Sequence, residues 1–460
     1  MSTIQLSDSF ITRTRALLGD DSPAFEAALQ ADPPVSIRLH AQKATETLLE
    51  APVPWSSRGY YLPERLTFTF DPLFHAGVYY VQEASSMFLE QAVRQYVDEP
   101  AVCLDLCAAP GGKSTLLLDT LPEGSLLVSN EVIRSRAGIL AGNLARWGNP
   151  NVVVTSSDPE KFGALSEQFD VIVTDVPCSG EGMFRKDPAS IGEWSESNVK
   201  LCAARQRRII ESVADALKPG GLLIYSTCTY NIEEDEENIR YICELLDGEV
   251  LPLSTQSEWS ITGALKYDDP VYRFLPHRTR GEGFFLAVIC KGENSKTKKI
   301  KQKERQQRDT LNKKLPKEWL LNPDQYYWTT ENNRISAYPM QHSELIRALK
   351  QQLNILIAGI EIGEIKGKDL IPSPTLPFST AFNPTAFPTY ELTLGEALQY
   401  LRRDPILLPN TSPKGYQAVT YKGHPLGLLK NLGNRTNNLY PQAWKIRNAE
   451  NPAEIKVLEW

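Results

Sequence analysis

Residues 96–292 of this 460-residue chain predict an α/β fold built on a doubly wound, mostly parallel sheet. Two patterns carry that prediction. Five short, near-continuously apolar runs alternate with stretches of helical periodicity, as in parallel strands covered by helices on both faces. Two further runs, VYRFLP and GEGFFLAVIC, suggest an antiparallel pair at one edge of that sheet. Composition agrees: 42% hydrophobic and 23% charged residues describe an ordinary globular chain. No apolar run approaches the roughly 18 residues that a membrane span requires.

Along the chain, residues 1–95 mix amphipathic helical pattern with segments broken by Pro33, Pro34, Pro52 and Pro54. Within them QEASSMFLEQAV (82–93) has apolar residues at helical spacing and predicts a helix. The core strands are expected at 101–107, 125–130, 151–156, 169–176 and 221–228. Helices are expected at 134–147 and 197–217, the second stopped by Lys218-Pro219-Gly220-Gly221. A further helix is expected at 233–246. Residues 293–316 have almost no apolar content and read as a basic linker. An intermediate extension, 317–382, carries a helical stretch at 341–353. Residues 383–460 are dense in Gly, Pro, Asn and short runs such as YQAVTY, which suggests a small β-rich domain.

The net charge is −7, but its distribution is uneven. Between Lys291 and Lys317 there are 11 Lys or Arg against 3 acids; between Leu401 and Arg447 there are 8 against 1. Two basic segments on an otherwise acidic chain suit a polyanion partner. The seven cysteines include no CxxC pair, so neither a disulfide framework nor a zinc module is expected. With no secretory signal pattern at the start, reduced thiols in the cytoplasm are the expectation.

The first core strand runs into Cys107-Ala108-Ala109-Pro110-Gly111-Gly112-Lys113 and then a helix. Small residues and two glycines let a ligand approach the backbone closely. Gly112-Lys113-Ser114 matches the end of a phosphate-binding loop, but Cys107 stands where that pattern needs its first glycine, which disfavours a phosphate cradle. Glu131 ends the second strand, where an acid accepts hydrogen bonds from a ribose; loop and acid together favour a nucleoside cofactor. Cys178 follows the fourth strand and Cys228 the fifth, so both thiols belong to the edge of the sheet that carries the glycine loop.

DLCAAPGGKS, DVPCSGEG, STCTYNIEEDEENI and RFLPHRTRGEGFF, in that order, resemble the Sun (Nol/Nop/Sun) family of RNA cytosine-5 methyltransferases over roughly residues 75–290. The carboxyl extension is similar to that of the family's RsmF branch, which methylates small-subunit (16S) ribosomal RNA. The resemblance implies a Rossmann-like class I S-adenosylmethionine-dependent methyltransferase core. It also implies an N-terminal α+β RNA-binding extension and a C-terminal PUA-like RNA-binding domain. By resemblance Cys228 is the nucleophile, Cys178 assists product release, and Asp175 contacts the target base close to the cofactor. The loop 107–113 holds the methionine part of S-adenosylmethionine, with Glu131 on the ribose and Asp158 near the adenine. Lys113 is left with two roles, on the methionine carboxylate or on the base. The partner implied is RNA, 16S rRNA or the small ribosomal subunit. A transfer-RNA methyltransferase and a catalytically idle ribosome-assembly factor remain as alternatives. A thiolate nucleophile calls for a nearby cation, and Arg273, His277 and Arg278 are the candidates.

Overall fold

A computed structural model describes residues 4–44, 49–293, 315–448 and 450–459. Most of the expected basic linker, residues 294–314, lies outside the described residues. The chain begins with two helices, α1 (Asp8–Leu18) and α2 (Ser22–Leu29). The Ser7 side chain accepts from Phe10 N and caps α1. Phe10, Phe25 and Leu29 of this hairpin pack on Phe184, Trp194 and Tyr230 of the core. A three-stranded antiparallel sheet follows, β1 (Val35–Leu39), β2 (Gly59–Leu62) and β3 (Tyr79–Val81), in the order β2-β1-β3. The helix expected over 82–93 is shifted: α3 spans Leu89–Tyr96, preceded by a 3-10 turn at Ser85–Phe88. Gln82 is withheld from helix because its carbonyl accepts from Ser36 Oγ and its side chain accepts from Arg38 Nε.

The core strands are β4 (Val102–Asp105), β5 (Leu126–Asn130), β6 (Val152–Thr155), β7 (Phe169–Asp175) and β8 (Leu217–Thr227). Between them run α4 (Gly112–Thr120), α5 (Arg134–Trp147) and α6 (Glu196–Val213), and α7 (Glu236–Leu246) follows. After it come β9 (Glu249–Leu251), β10 (Tyr272–Phe274) and β11 (Phe284–Cys290). The order β10-β11-β8-β7-β4-β5-β6 has β4 to β8 parallel, with β11 antiparallel to β8 and β10 antiparallel to β11. Strand order reverses at β4, whose neighbours β5 and β7 open a ligand crevice at their carboxyl ends. The stop expected at Lys218-Pro219-Gly220-Gly221 is not a helix end. α6 finishes at Val213, and those four residues lie inside β8, where Gly220 takes φ +71° and the pairing with β7 slips register.

Beyond residue 315 come β12 (Tyr326–Glu331), β13 (Arg334–Pro339), α8 (Ser343–Gln352), β14 (Ile355–Ala358), β15 (Ile360–Lys366) and β16 (Asp369–Pro372). β14 pairs antiparallel with β6, so the extension adds an edge strand to the core sheet. The last sheet holds β17 (Thr389–Glu391), β18 (Gly415–Tyr421), β19 (His424–Asn431) and β20 (Thr436–Asn438), with α9 (Leu394–Arg402) between β17 and β18. Tyr400, Val419, Leu426 and Tyr440 from this unit share one core with Ile37, Leu39 and Tyr79 of the N-terminal sheet and with Leu73, on the short helix Pro72–His75 before its last strand. Tyr421 and Tyr440 are thus buried, and Trp444 covers Gly142 of α5, where an added Cβ would lie 2.9 Å from its indole nitrogen.

Candidate active site

The cofactor loop leaves β4 at Asp105 and enters α4 at Gly112. Gly111 has φ +116°, a left-handed conformation that a side chain resists, and its carbonyl accepts from Thr115 N at 2.9 Å. Asp105 is fully buried; Ser114 Oγ donates to one carboxyl oxygen at 2.6 Å and the other has no partner among the described residues. The loops after β4, β5 and β6 are joined by one buried side chain, Asn130. Its Nδ2 donates to Leu106 O at 3.2 Å and Ser157 O at 3.0 Å, and its Oδ1 accepts from Thr155 Oγ1 at 2.7 Å and Ser157 N at 3.0 Å. Glu131, next in sequence, accepts from Ile133 N at 2.9 Å and lies 3.4 Å from Arg136. Asp158 is exposed at the tip of the third loop.

This arrangement fits S-adenosylmethionine. Asp175 and Glu131 both act electrostatically on Asp105, a cluster of carboxyls suited to a sulfonium and an α-ammonium, and one Asp105 oxygen has no donor among the described residues. Burial pushes the Asp105 carboxyl up to about 7, against the Ser114 hydrogen bond and the Lys113 charge. The folded protein therefore holds a proton there that the unfolded chain, titrating near 4, has released, so stability falls between about pH 4 and 7 and levels off above. Asp105→Asn should remove that slope. From pH 5 to 7.5 the wild type should lose about 2 kcal/mol or more relative to the variant, read by parallel denaturation curves.

The thiols meet in the same crevice. Cys178 Sγ and Cys228 Sγ are 3.0 Å apart. Asp175, at the end of β7, accepts from Lys113 Nζ at 2.8 Å and from Ser226 Oγ at 3.0 Å. Lys113 also lies 5.1 Å from the centre of the Phe284 ring. Burial pulls the Lys113 ammonium down, but Asp175, Asp105 and Cys228 outweigh it and hold it above the usual lysine range. The Cys178 thiol is pushed far up, first by its hydrogen bond with Cys228 and then by burial.

The cation expected beside Cys228 is thus Lys113, from the cofactor loop, and not the three residues expected from the RFLPHR segment. Arg273 is buried against Asp235 at 2.9 Å and against Glu236. Arg278 pairs with Asp21, and His277 lies 3.5 Å from the same carboxylate. Arg38 is buried as well, paired with Asp119 at 2.6 Å. Two further acids were not singled out from sequence. Glu234 accepts from Ser179 N at 3.0 Å, Gln206 Nε2 at 2.7 Å and Asn231 Nδ2 at 2.8 Å. Glu181 accepts from Trp194 Nε1 at 2.8 Å, Thr229 Oγ1 at 2.7 Å and Tyr230 N at 2.8 Å. Together they stitch the Cys178 loop to the Cys228 loop. The only signal was the acids of CSGEG and NIEEDEE falling just after each thiol.

Three family models match in order: the N-terminal domain of 16S rRNA methyltransferase RsmF over residues 6–84, 16S rRNA methyltransferase RsmB/F over 95–290, and the methyltransferase RsmF PUA domain over 387–446. Ribosomal RNA small subunit methyltransferase F of Aliivibrio fischeri (strain MJ11) is 33% identical over 88% of each chain. The protein of the same name from Escherichia coli O9:H4 (strain HS) is 30% identical over 96% of each. A solved methyltransferase homolog from Pyrococcus horikoshii is 29% identical, with a TM-score of 0.54 over 63% of this chain and 96% of that one. With three domain matches in the same order and relatives aligned over nearly its whole length, the chain belongs to the RsmF branch of the RsmB/F methyltransferase family.

Proposed function

We propose that this protein methylates carbon 5 of a cytosine in 16S ribosomal RNA, using S-adenosylmethionine. The observation that carries the reading is the pair of sulfurs 3.0 Å apart beside the Lys113–Asp175 ion pair. Carbon 5 of cytosine is a poor nucleophile until a thiolate adds to carbon 6. Cys228 Sγ makes that bond, and the ring electrons move to carbon 5. S-adenosylmethionine supplies an electrophilic methyl group on sulfur. Asp175 accepts from the base's amine or ring nitrogen, and its ion pair with Lys113 holds it in place. The carbon 5 proton must then leave so that Cys228 can depart.

Cys178 suits that last step for a reason visible in its environment. Its proton is held chiefly by the neighbouring Cys228 sulfur. Once Cys228 is bonded to the base, that sulfur carries no negative charge and the restraint on Cys178 weakens. The second thiol becomes easier to ionise when a base is needed.

Carbon 6 of a stacked cytosine is out of reach, so the target must be unpaired or flipped out at a cost of a few kcal/mol. Exposed Lys414, Lys422, Arg435 and Arg447 in the C-terminal unit offer phosphate contacts that offset this cost. We place the protein in the cytoplasm, where its seven free cysteines stay reduced. The test is transfer of labelled methyl from the cofactor into purified small-subunit RNA and, separately, transfer RNA, followed by nucleoside analysis. 5-Methylcytidine is expected in the ribosomal RNA alone. Label only in transfer RNA, or none in either, would end the proposal.

A further inference from the structure

The loop after β6, Ser156-Ser157-Asp158, is held from two sides. From within the core, Asn130 takes both the N–H and the carbonyl of Ser157. From outside it meets Asn354, in the turn between α8 and β14, more than 60 residues past the end of the matched methyltransferase region. Ser156 N donates to Asn354 O at 2.9 Å, and Asn354 N donates to Ser157 Oγ at 2.9 Å. Asn354 Nδ2 also donates to Ser156 O at 3.3 Å. The turn is itself anchored: Ile346, Leu349 and Leu353 are buried in the main core before it, and β14 pairs with β6 after it. An anchored turn bonded to a loop limits the loop's drift.

We propose that Asn354 and its turn are positioning residues for the nucleoside end of the cofactor. The extension then sets how well the site selects adenine. This rests on the reading that Asp158 faces the adenine. Asp158 spends one oxygen on Glu160 N at 3.0 Å, which leaves the other to accept from an exocyclic amine. Such a hydrogen bond weakens steeply with misplacement. Hypoxanthine presents a carbonyl where adenine has its amine, so a well-placed carboxylate repels it and a displaced one does so less.

The experiment titrates the full-length protein with S-adenosylhomocysteine and S-inosylhomocysteine by calorimetry, alongside thermal melting. Ser157→Ala removes the acceptor for Asn354 N; Asn354→Ala removes only an exposed side chain and keeps the test alive if the first variant does not fold. Wild type should prefer the adenine ligand. Ser157→Ala should weaken it about tenfold, and Asn354→Ala about two- to threefold, with the inosine ligand changed by less than about twofold. Equal weakening for both ligands, or an unchanged preference alongside a lowered melting temperature, would overturn the proposal and leave the cofactor reading intact. Wild type with no adenine preference would instead remove the Asp158 reading and the proposal with it.

Discussion

Cys228→Ala should lower methyl transfer by at least about 10³-fold, because the neighbouring thiol that remains, Cys178, loses its hydrogen bond with Cys228 but is still pushed up by burial and is a poor substitute for the bond to carbon 6. RNA carrying 5-fluorocytosine should trap wild type as a covalent adduct on a denaturing gel, since fluorine cannot leave as a cation from carbon 5. The Cys228→Ala variant should give no band. Cys178→Ala should behave in the opposite way. With ordinary RNA it should still bond to the base, and adduct should accumulate because release is slowed. Sulfurs 3.0 Å apart make the two roles separable by this one gel. A Cys178→Ala protein that turns over freely, or an adduct that survives loss of Cys228, would reverse or void the assignment.

The thiols and the cofactor loop were legible because each follows directly from a strand. A strand end fixes an edge of the sheet, and residues counted from it inherit that edge. The same logic placed Glu131. What stayed hidden depends on contacts between segments distant in sequence. Lys113 reads locally as part of a glycine loop, and only β4 lying beside β7 brings it to Asp175. Asn130 looks like a strand terminus, yet it joins three loops because β4, β5 and β6 end side by side. LIAGIEIGEI (356–365) has no local signal that divides it apart from its first glycine. The turn at Gly359, with φ +66°, splits it between two sheets, β14 on the core and β15 on β13. The helix expected over 197–217 is present but stops earlier, at Val213, for a related reason. Lys218 is held by Asp170 at the start of β7, so the chain is already strand there.

Arg273→Met should cost on the order of 3–5 kcal/mol, the scale for breaking a buried ion pair from one side. Sequence position made this arginine a candidate cation for the thiolate. The structure gives it two carboxylates instead, Asp235 and Glu236, neither of them exposed, and a hydrogen bond from its Nη1 to Tyr230 O at 2.9 Å. Without it both acids are buried without their counter-charge. Burial already pushes the Asp235 carboxyl far up, with Arg273 as the main force in the other direction. The loss would reach the site, because Thr227 Oγ1 donates to Asp235 at 2.6 Å and Thr227 immediately precedes Cys228. Arg273→Lys should recover only part, since an ammonium cannot serve two carboxylates with a planar fork. Two measurements separate this role from a cation acting on the thiolate. If Arg273 is the clamp, Arg273→Met lowers the melting temperature by roughly 5 °C or more, and Lys113→Met is the variant that slows alkylation of Cys228 in the folded protein. An Arg273→Met protein that melts like wild type yet alkylates slowly at Cys228 would restore the arginine to the role its sequence position suggested.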